Sequence, residues 1–198
     1  MKLVLATQNP KKLKEMNEIL SHLGVEVVSE AELGVRIEVE ETGDTFTDNA
    51  RLKATAVMQA TGLPAVADDS GLCVDALNGG PGVYSARFGG EGLDDKGRYT
   101  LLLEMLRGQT DRAAHFHTSI VCAFPNGDEL VCEGECPGTI AFAPMGEDGF
   151  GYDPVFFVPE LRKTFGQLTA EEKASVSHRG KALRAFAAAL DDYLKGNE

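Results

Sequence analysis

Nothing in this sequence is apolar for long enough to cross a membrane; no run approaches the ~18–20 residues such a helix needs. The opening MKLVLATQNP does not read as a secretory leader either, because polar Gln8 and Asn9 end its short apolar part. Together the two absences imply a cytoplasmic protein with no membrane partner. Positive charge is the scarcer sign, with 19 Lys and Arg against 31 Asp and Glu, for a net charge of −12. Most of such a surface repels duplex nucleic acid, which argues against a general nucleic-acid binder. A nucleotide is still allowed, because a few lysines gathered at one place bind phosphates locally. Cysteines are few: Cys73, Cys122, Cys132 and Cys136. Cys132 and Cys136 stand four apart, but no second ligand pair accompanies them, so zinc is not indicated. All four read as reduced, mostly buried thiols. The glycines of a P-loop and the Gly-x-Ser-x-Gly elbow of a serine nucleophile are also missing.

What is present suits one globular chain. Its 198 residues are 43% hydrophobic, with no repeat and no low-complexity segment. Residues 2–6 read as a short buried strand. Leu13, Met16, Ile19, Leu20 and Leu23 recur at helical spacing over 11–23, with Gly24 as the stop. A second strand follows at 25–28, an acidic connection at 38–48, and a helix at 46–60 ended by Gly62-Leu63-Pro64. A brief strand at 65–67 opens onto Asp68-Asp69-Ser70-Gly71, which is turn-prone in composition. After Gly79, Gly80 and Gly82 an extended stretch is expected at 83–87, then a helix at 95–107. Strands at 113–124 and 129–136 flank Pro-Asn-Gly-Asp, a hairpin signal. Another strand lies at 155–158, and a last helix runs from Ser177 to Leu194 with Ala182, Leu183, Phe186, Ala187 and Leu190 on one face. The alternation of strands and helices predicts an α/β fold in a single domain, with a second lobe at roughly 110–160.

Several short segments carry chemistry. Thr7, Gln8, Asn9, Pro10, Lys11 and Lys12 lie between a strand and a helix, where free backbone N–H groups suit phosphate. Thr7 and Asn9 add neutral donors and Lys12 a point charge, although either polar residue can also cap the helix. Asp68 and Asp69 are hard oxygen donors that suit magnesium or manganese, and one can hold metal while its neighbour activates water. Glu41 offers a further metal ligand and Lys53 a phosphate contact. In Gly149-Phe150-Gly151-Tyr152-Asp153-Pro154 the glycines permit close approach to a flat ligand, Phe150 can stack on a base and Asp153 can accept from it. Ser177-His178-Arg179-Gly180 places two basic residues at a helix head, where an acceptor or anion would account for them, with Lys173 just upstream. His115 and His117 alternate on one strand face without a carboxylate at ligand spacing, and read as ordinary strand side chains.

In this order, TQNPKK at 7–12, EETGDTFTDNARLKA at 40–54, ADDSGL at 67–72, GGPGVYSARF at 79–88, GFGYDPVFF at 149–157 and EEKASVSHRGKAL at 171–183 resemble the inosine triphosphate pyrophosphatase family. The resemblance spans nearly the whole chain. It implies an elongated, two-lobed α/β fold with a central mixed sheet flanked by helices, an active site in the cleft between lobes, and a homodimer. It implies Mg2+ as cofactor and hydrolysis of non-standard purine nucleoside triphosphates such as ITP, dITP and XTP. Thr7, Asn9 and Lys12 match triphosphate-binding positions, and Glu41, Asp68 and Asp69 the metal and water-activating positions. Asp69 matches the proton acceptor and Ser70 a substrate contact; Phe150, Gly151, Tyr152 and Asp153 match the base loop. Lys173, His178 and Arg179 match further substrate contacts. Gln8, Pro10 and Lys11 depart from the small residues common in relatives but leave the Thr7/Asn9/Lys12 skeleton intact. Two alternatives stand beside this one: a Maf-like pyrophosphatase of modified nucleotides, and a non-enzymatic nucleotide sensor. The GFGYDP and SHRG segments favour the purine reading, and a sensor has no use for the Asp68-Asp69 pair.

Overall fold

In the computed structural model, which describes residues 1–196, the strand at the start of the chain is β1 (Lys2–Leu5), buried from Leu3 onward. It leads into α1 (Pro10–Leu20), where Pro10 occupies the first turn and Asn9 caps the end by accepting the Lys11 N–H. The helical pattern expected to reach residue 23 tightens instead into a 3-10 turn over Ser21–Leu23, ended by left-handed Gly24. β2 (Glu26–Ser29) follows, and α2 (Phe46–Thr61) is capped by Thr45 and closed by left-handed Gly62.

The remaining strands are β3 (Ala65–Val74), β4 (Ala113–Ala123), β5 (Glu129–Ile140), β6 (Phe156–Val158) and β7 (Lys163–Thr164). One sheet takes all of them in the order β2-β1-β3-β4-β5-β6-β7. β1 runs parallel to β2 and β3, with Leu3 opposite Val27 and Val4 opposite Ala65, whereas β6 is antiparallel to β5 and β7. The sheet is therefore mixed, as the resemblance implied.

Two expectations need correction. The strand after Pro64 does not stop at Ala67; β3 continues through Asp68, Asp69, Ser70 and Gly71, so the acidic pair lies in a strand and not in a turn. The stretch at 83–87 is not extended but a 3-10 turn over Gly82–Arg87, fastened by the Ser85 hydroxyl donating to the Gly82 carbonyl at 2.6 Å. Lys173 lies just upstream of the last helix, as expected, within a separate α4 (Ala170–Val176), after which α5 (His178–Gly196) begins. α3 (Asp95–Met105) starts where expected, with Asp94 as its cap.

Contacts divide the chain into two compact units. The first comprises residues 1–69, 118–134 and 181 onward; the second comprises 70–117 and 135–180. In the first unit strand alternation sorts the core into two sides. Leu3, Leu5, Val66, Ile120 and Cys122 pack with Met16 and Leu20 of α1 and with Phe186 and Leu190 of α5. Val4, Ala65, Ala67 and Val121 pack with Ala50, Ala54 and Val57 of α2. In the second unit Leu72, Val74, Phe116, Phe156 and Phe165 pack with Leu102 and Leu106. No helix of the described residues is long and apolar enough to cross a membrane.

Candidate functional site

Because β3 is a strand at Asp68 and Asp69, the two carboxylates point to opposite faces. Asp68 shares the side of Val66 and meets a lysine from α1: Lys12 Nζ donates to its Oδ2 at 2.7 Å. Asp69 shares the side of Ala67 and meets a lysine from α2: Lys53 Nζ lies 3.3 Å from its Oδ1. Lys53 Nζ also donates to Glu41 Oε1 and to the Asp68 carbonyl, both at 2.8 Å. Two adjacent acids inside a sheet are tolerable because each has its own cation, delivered by a helix on its own side.

The Asp69 cluster is strained electrostatically. Burial raises the Asp69 pKa and nearby Glu41 adds to the rise; Lys53 and the Asn49 amide offset only part of it. Burial works against the charge on Lys53, but Asp69, Glu41 and Asp68 outweigh it and hold that pKa above its ordinary value. Asp69 Oδ2 is buried and has no hydrogen-bond partner among the described residues. Glu41 and Asp69 thus already share one cation, and the second carboxylate oxygen of Asp69 is left over. Those hard oxygens fit Mg2+, which keeps waters and takes further ligands from phosphates. Among the described residues no three His, Cys, Asp or Glu side chains are gathered closely enough to cage a metal unaided.

The loop before α1 sits near these groups through Lys12. Thr7 Oγ1 accepts the Asn9 N–H at 3.2 Å, so both side chains shape the turn. Gln8, Pro10 and Lys11 are exposed, and Lys11 contributes only its backbone N–H to Asn9. Thr7 through Pro10 line a cavity of about 330 Å³ together with Ser29, Glu30 and Arg36.

In the second unit the aromatic turn is built around Asp153. Its Oδ2 accepts the Phe150 N–H at 2.9 Å and the Lys173 ammonium. Burial pushes the Asp153 pKa up, and Lys173 pulls it back only in part. Gly149 and Gly151 take left-handed conformations (φ 84° and 60°), and a Cβ on Gly149 would lie 2.0 Å from Asp153 Oδ2. Through its contacts with Phe150 and Lys173 the buried Asp153 carboxylate holds its own turn together. Tyr152 is buried and its hydroxyl donates to the Ser85 carbonyl at 2.7 Å, while the Gly151 N–H donates to Asp95 Oδ2 at 2.7 Å. Phe150 is left 77% exposed. Lys173 Nζ lies 4.9 Å from the Phe150 centroid and 5.2 Å from that of Phe165.

His178 and Arg179 open α5 and are both half-buried. The His178 ring stacks on Phe116 at 4.7 Å and 12°. Ser177 Oγ accepts the Gly180 N–H at 3.0 Å, and a Cβ on Gly180 would lie 2.3 Å from the Ala174 carbonyl, so the α4–α5 junction demands that glycine. Ser70 is exposed on β3, one residue beyond Asp69.

Sequence reasoning passed over Asn49, Phe116, Phe165 and Asp95. Asn49 had left a signal: it lies between Phe46, Ala50 and Val57 on the buried face of α2, an unusual place for an amide.

The family model described as the Ham1 family matches residues 3–189. The chain is 50% identical over 196 residues to a dITP/XTP pyrophosphatase of Exiguobacterium sp., covering 99% of this chain and 100% of that one. It is 54% identical over 186 residues to a dITP/XTP pyrophosphatase of Desulforamulus reducens, covering 93% and 92%. Among solved structures, the Ham1 protein of Staphylococcus aureus superposes with a TM-score of 0.91 at 41% identity over all of both chains. A HAM1 protein of Coxiella burnetii does so at 0.93 and 43%, over 97% of this chain and 99% of that one.

Proposed function

The chain belongs to the Ham1 family, and from that premise we propose that it hydrolyses non-standard purine nucleoside triphosphates to the monophosphate and pyrophosphate, removing them from the nucleotide pool. It is a nucleoside triphosphate pyrophosphatase acting on dITP and XTP, with ITP as the ribose counterpart.

The observation that carries the reaction is the buried, unpartnered Asp69 Oδ2 beside Lys53 and Glu41. That oxygen takes the proton of the attacking water as it adds to the α-phosphorus, and its raised proton affinity makes it a better base near neutral pH. Lys12 and Lys53 are point charges for the triphosphate. The N–H groups at the head of α1, with Thr7 and Asn9, donate to phosphate oxygens. Glu41 and Asp69 would hold Mg2+, which when bound would supply charge neutralisation for the triphosphate, while Asp68, on the other face of β3, pairs with Lys12.

In the second unit Phe150 stacks on the base, which adds affinity with little selectivity. His178 and Arg179 donate to the oxygen at C6 of inosine and xanthosine, where adenine has an amino group. A site built on such donors can reject the wrong base by up to about 10⁴–10⁵-fold. Guanine keeps that oxygen, so its exclusion falls on its 2-amino group. The net charge of −12 supports a nucleotide and not a nucleic acid as partner. The resemblance of the motifs supports a cytoplasmic homodimer.

The test is hydrolysis of dITP, XTP, dATP and dGTP with magnesium, with products identified. Pyrophosphate from dITP and XTP is expected; orthophosphate, or no preference over dATP, would overturn the assignment.

A further inference from the structure

We propose that Asn49 is a positioning residue, which holds the Glu41 loop and Asp69 in one arrangement on the face of α2 that also carries Lys53. This deepens the reading of Asp69 as proton acceptor and rests on it.

Asn49 is wholly buried. Buried amides normally satisfy both ends, because an orphaned polar atom destabilises the fold. One end of Asn49 is satisfied: its Oδ1 accepts the Gly43 N–H at 2.8 Å. The loop is pressed onto it, since a Cβ on Gly43 would lie 2.8 Å from that same oxygen and 2.7 Å from Asp48 Cβ. The other end, Nδ2, is buried and has no partner among the described residues, and the same holds for Asp69 Oδ2. An orphaned donor and an orphaned acceptor therefore lie in the same small cluster, joined through the Glu41–Gly43 loop and Lys53.

Spacing completes the case. Asn49 and Lys53 are four apart on α2 and so share a face. Lys53 grips Glu41 and Asp69 by charge. Asn49 grips the same loop two residues on, at Gly43. A carboxylate held only by a flexible lysine would wander; a rigid, packed amide limits where it points. The bland role, fastening Gly43 alone, uses only Oδ1.

The variant Asn49→Asp separates the two roles. It keeps the shape and the acceptor for the Gly43 N–H, but replaces the donor with an acceptor. For dITP we expect kcat to fall about 30- to 100-fold, the scale of a misplaced reacting group, with KM changed less than about threefold. The thermal midpoint should fall as well, because two carboxylates then face each other. In the exchange Asn49→Asp/Asp69→Asn a donor again meets an acceptor. Its midpoint should recover, and its kcat should lie within about threefold of Asp69→Asn alone, since residues acting as a unit are not additive. Should Asn49→Asp fail to fold, Asn49→Ala measured with and without Asp69→Asn reads the same coupling. The proposal is overturned if Asn49→Asp keeps the parent kcat, or if losses in the double variant multiply and its midpoint drops further. A parent protein inert toward dITP would sink the reading of function instead, and the thermal cycle would still decide the Asn49–Asp69 link.

Discussion

Replacing Lys173 with Met removes the ammonium paired with the buried Asp153 carboxylate, whose side chain is 5% exposed while that of Lys173 is 23% exposed. Breaking a fully buried pair costs about 3–5 kcal/mol and an exposed one about 0–1. The partial exposure of Lys173 places this pair between those limits, at about 2–4 kcal/mol near pH 8. For a chain of this size that is a fall of roughly 5–12 °C in Tm. The dependence on pH is the decisive part. Asp153 has a folded pKa above its unfolded value, so its contribution to stability is greatest below the ordinary carboxylate range and is lost as pH rises through the folded value. Without Lys173 that folded value rises further, and the penalty of ionisation grows. The variant should therefore be much weaker than the parent at pH 8 but close to it near pH 4.5, where only the contacts of the lysine with Phe150 and Phe165 are missing. Urea denaturation at both pH values measures this. Adding Asp153→Asn to Lys173→Met should recover most of the loss at pH 8, because Asn still accepts the Phe150 N–H and needs no cation. A loss equal at both pH values, or no rescue, would refute the account of a buried charge held by Lys173.

Three further expectations follow from the first unit and the thiols. Asp69→Asn should lower turnover by about 10²–10⁴-fold, the range for loss of a general base, while circular dichroism and Tm show a folded protein. Lys12→Met should weaken triphosphate binding much more than nucleoside binding in calorimetric titrations, because it removes a point charge; equal loss for both would mean that Lys12 serves the structure through Asp68. Burial pushes the thiols of Cys73, Cys122 and Cys132 up, so a thiol reagent at pH 8 should react first at half-buried Cys73 and reach buried Cys122 and Cys132 only in denaturant.

How far the sequence spoke depended on where its residues get their partners. Helices whose apolar face and cap were both local, such as α2 with Thr45 and Gly62, were legible in existence and extent. α4 carried its own signal, Thr169 and Glu172 in a reciprocal capping box. β3 was not legible past Ala67, because Asp-Asp-Ser-Gly favours a turn unless the acids are neutralised, and the two lysines that do so are 56 and 16 residues away in sequence. The site showed the same division. Thr7, Asn9, Lys12 and Asp69 were named from motifs, yet nothing in a motif indicates that Asp68 and Asp69 look to opposite faces. The self-bonding of Asp153 was likewise hidden, since Phe150 N–H and Lys173 become its partners only when the turn and α4 have formed.

The first unit takes its residues from both ends of the chain, and this sets an order on its construction. A nascent chain leaves the ribosome at about 5–20 residues per second, amino end first. All of the second unit, residues 70–117 and 135–180, is therefore available before most of α5 has been made. Until then Leu3, Leu5, Met16 and Leu20 lack Ala182, Phe186 and Leu190, the side chains against which they are finally buried. Throughout synthesis the part of the molecule carrying Lys12, Lys53 and Asp69 is an unfinished apolar surface in need of shelter. A message broken off before codon 181 would yield every segment of the second unit but leave Leu3, Leu5, Met16 and Leu20 without the α5 side chains that cover them.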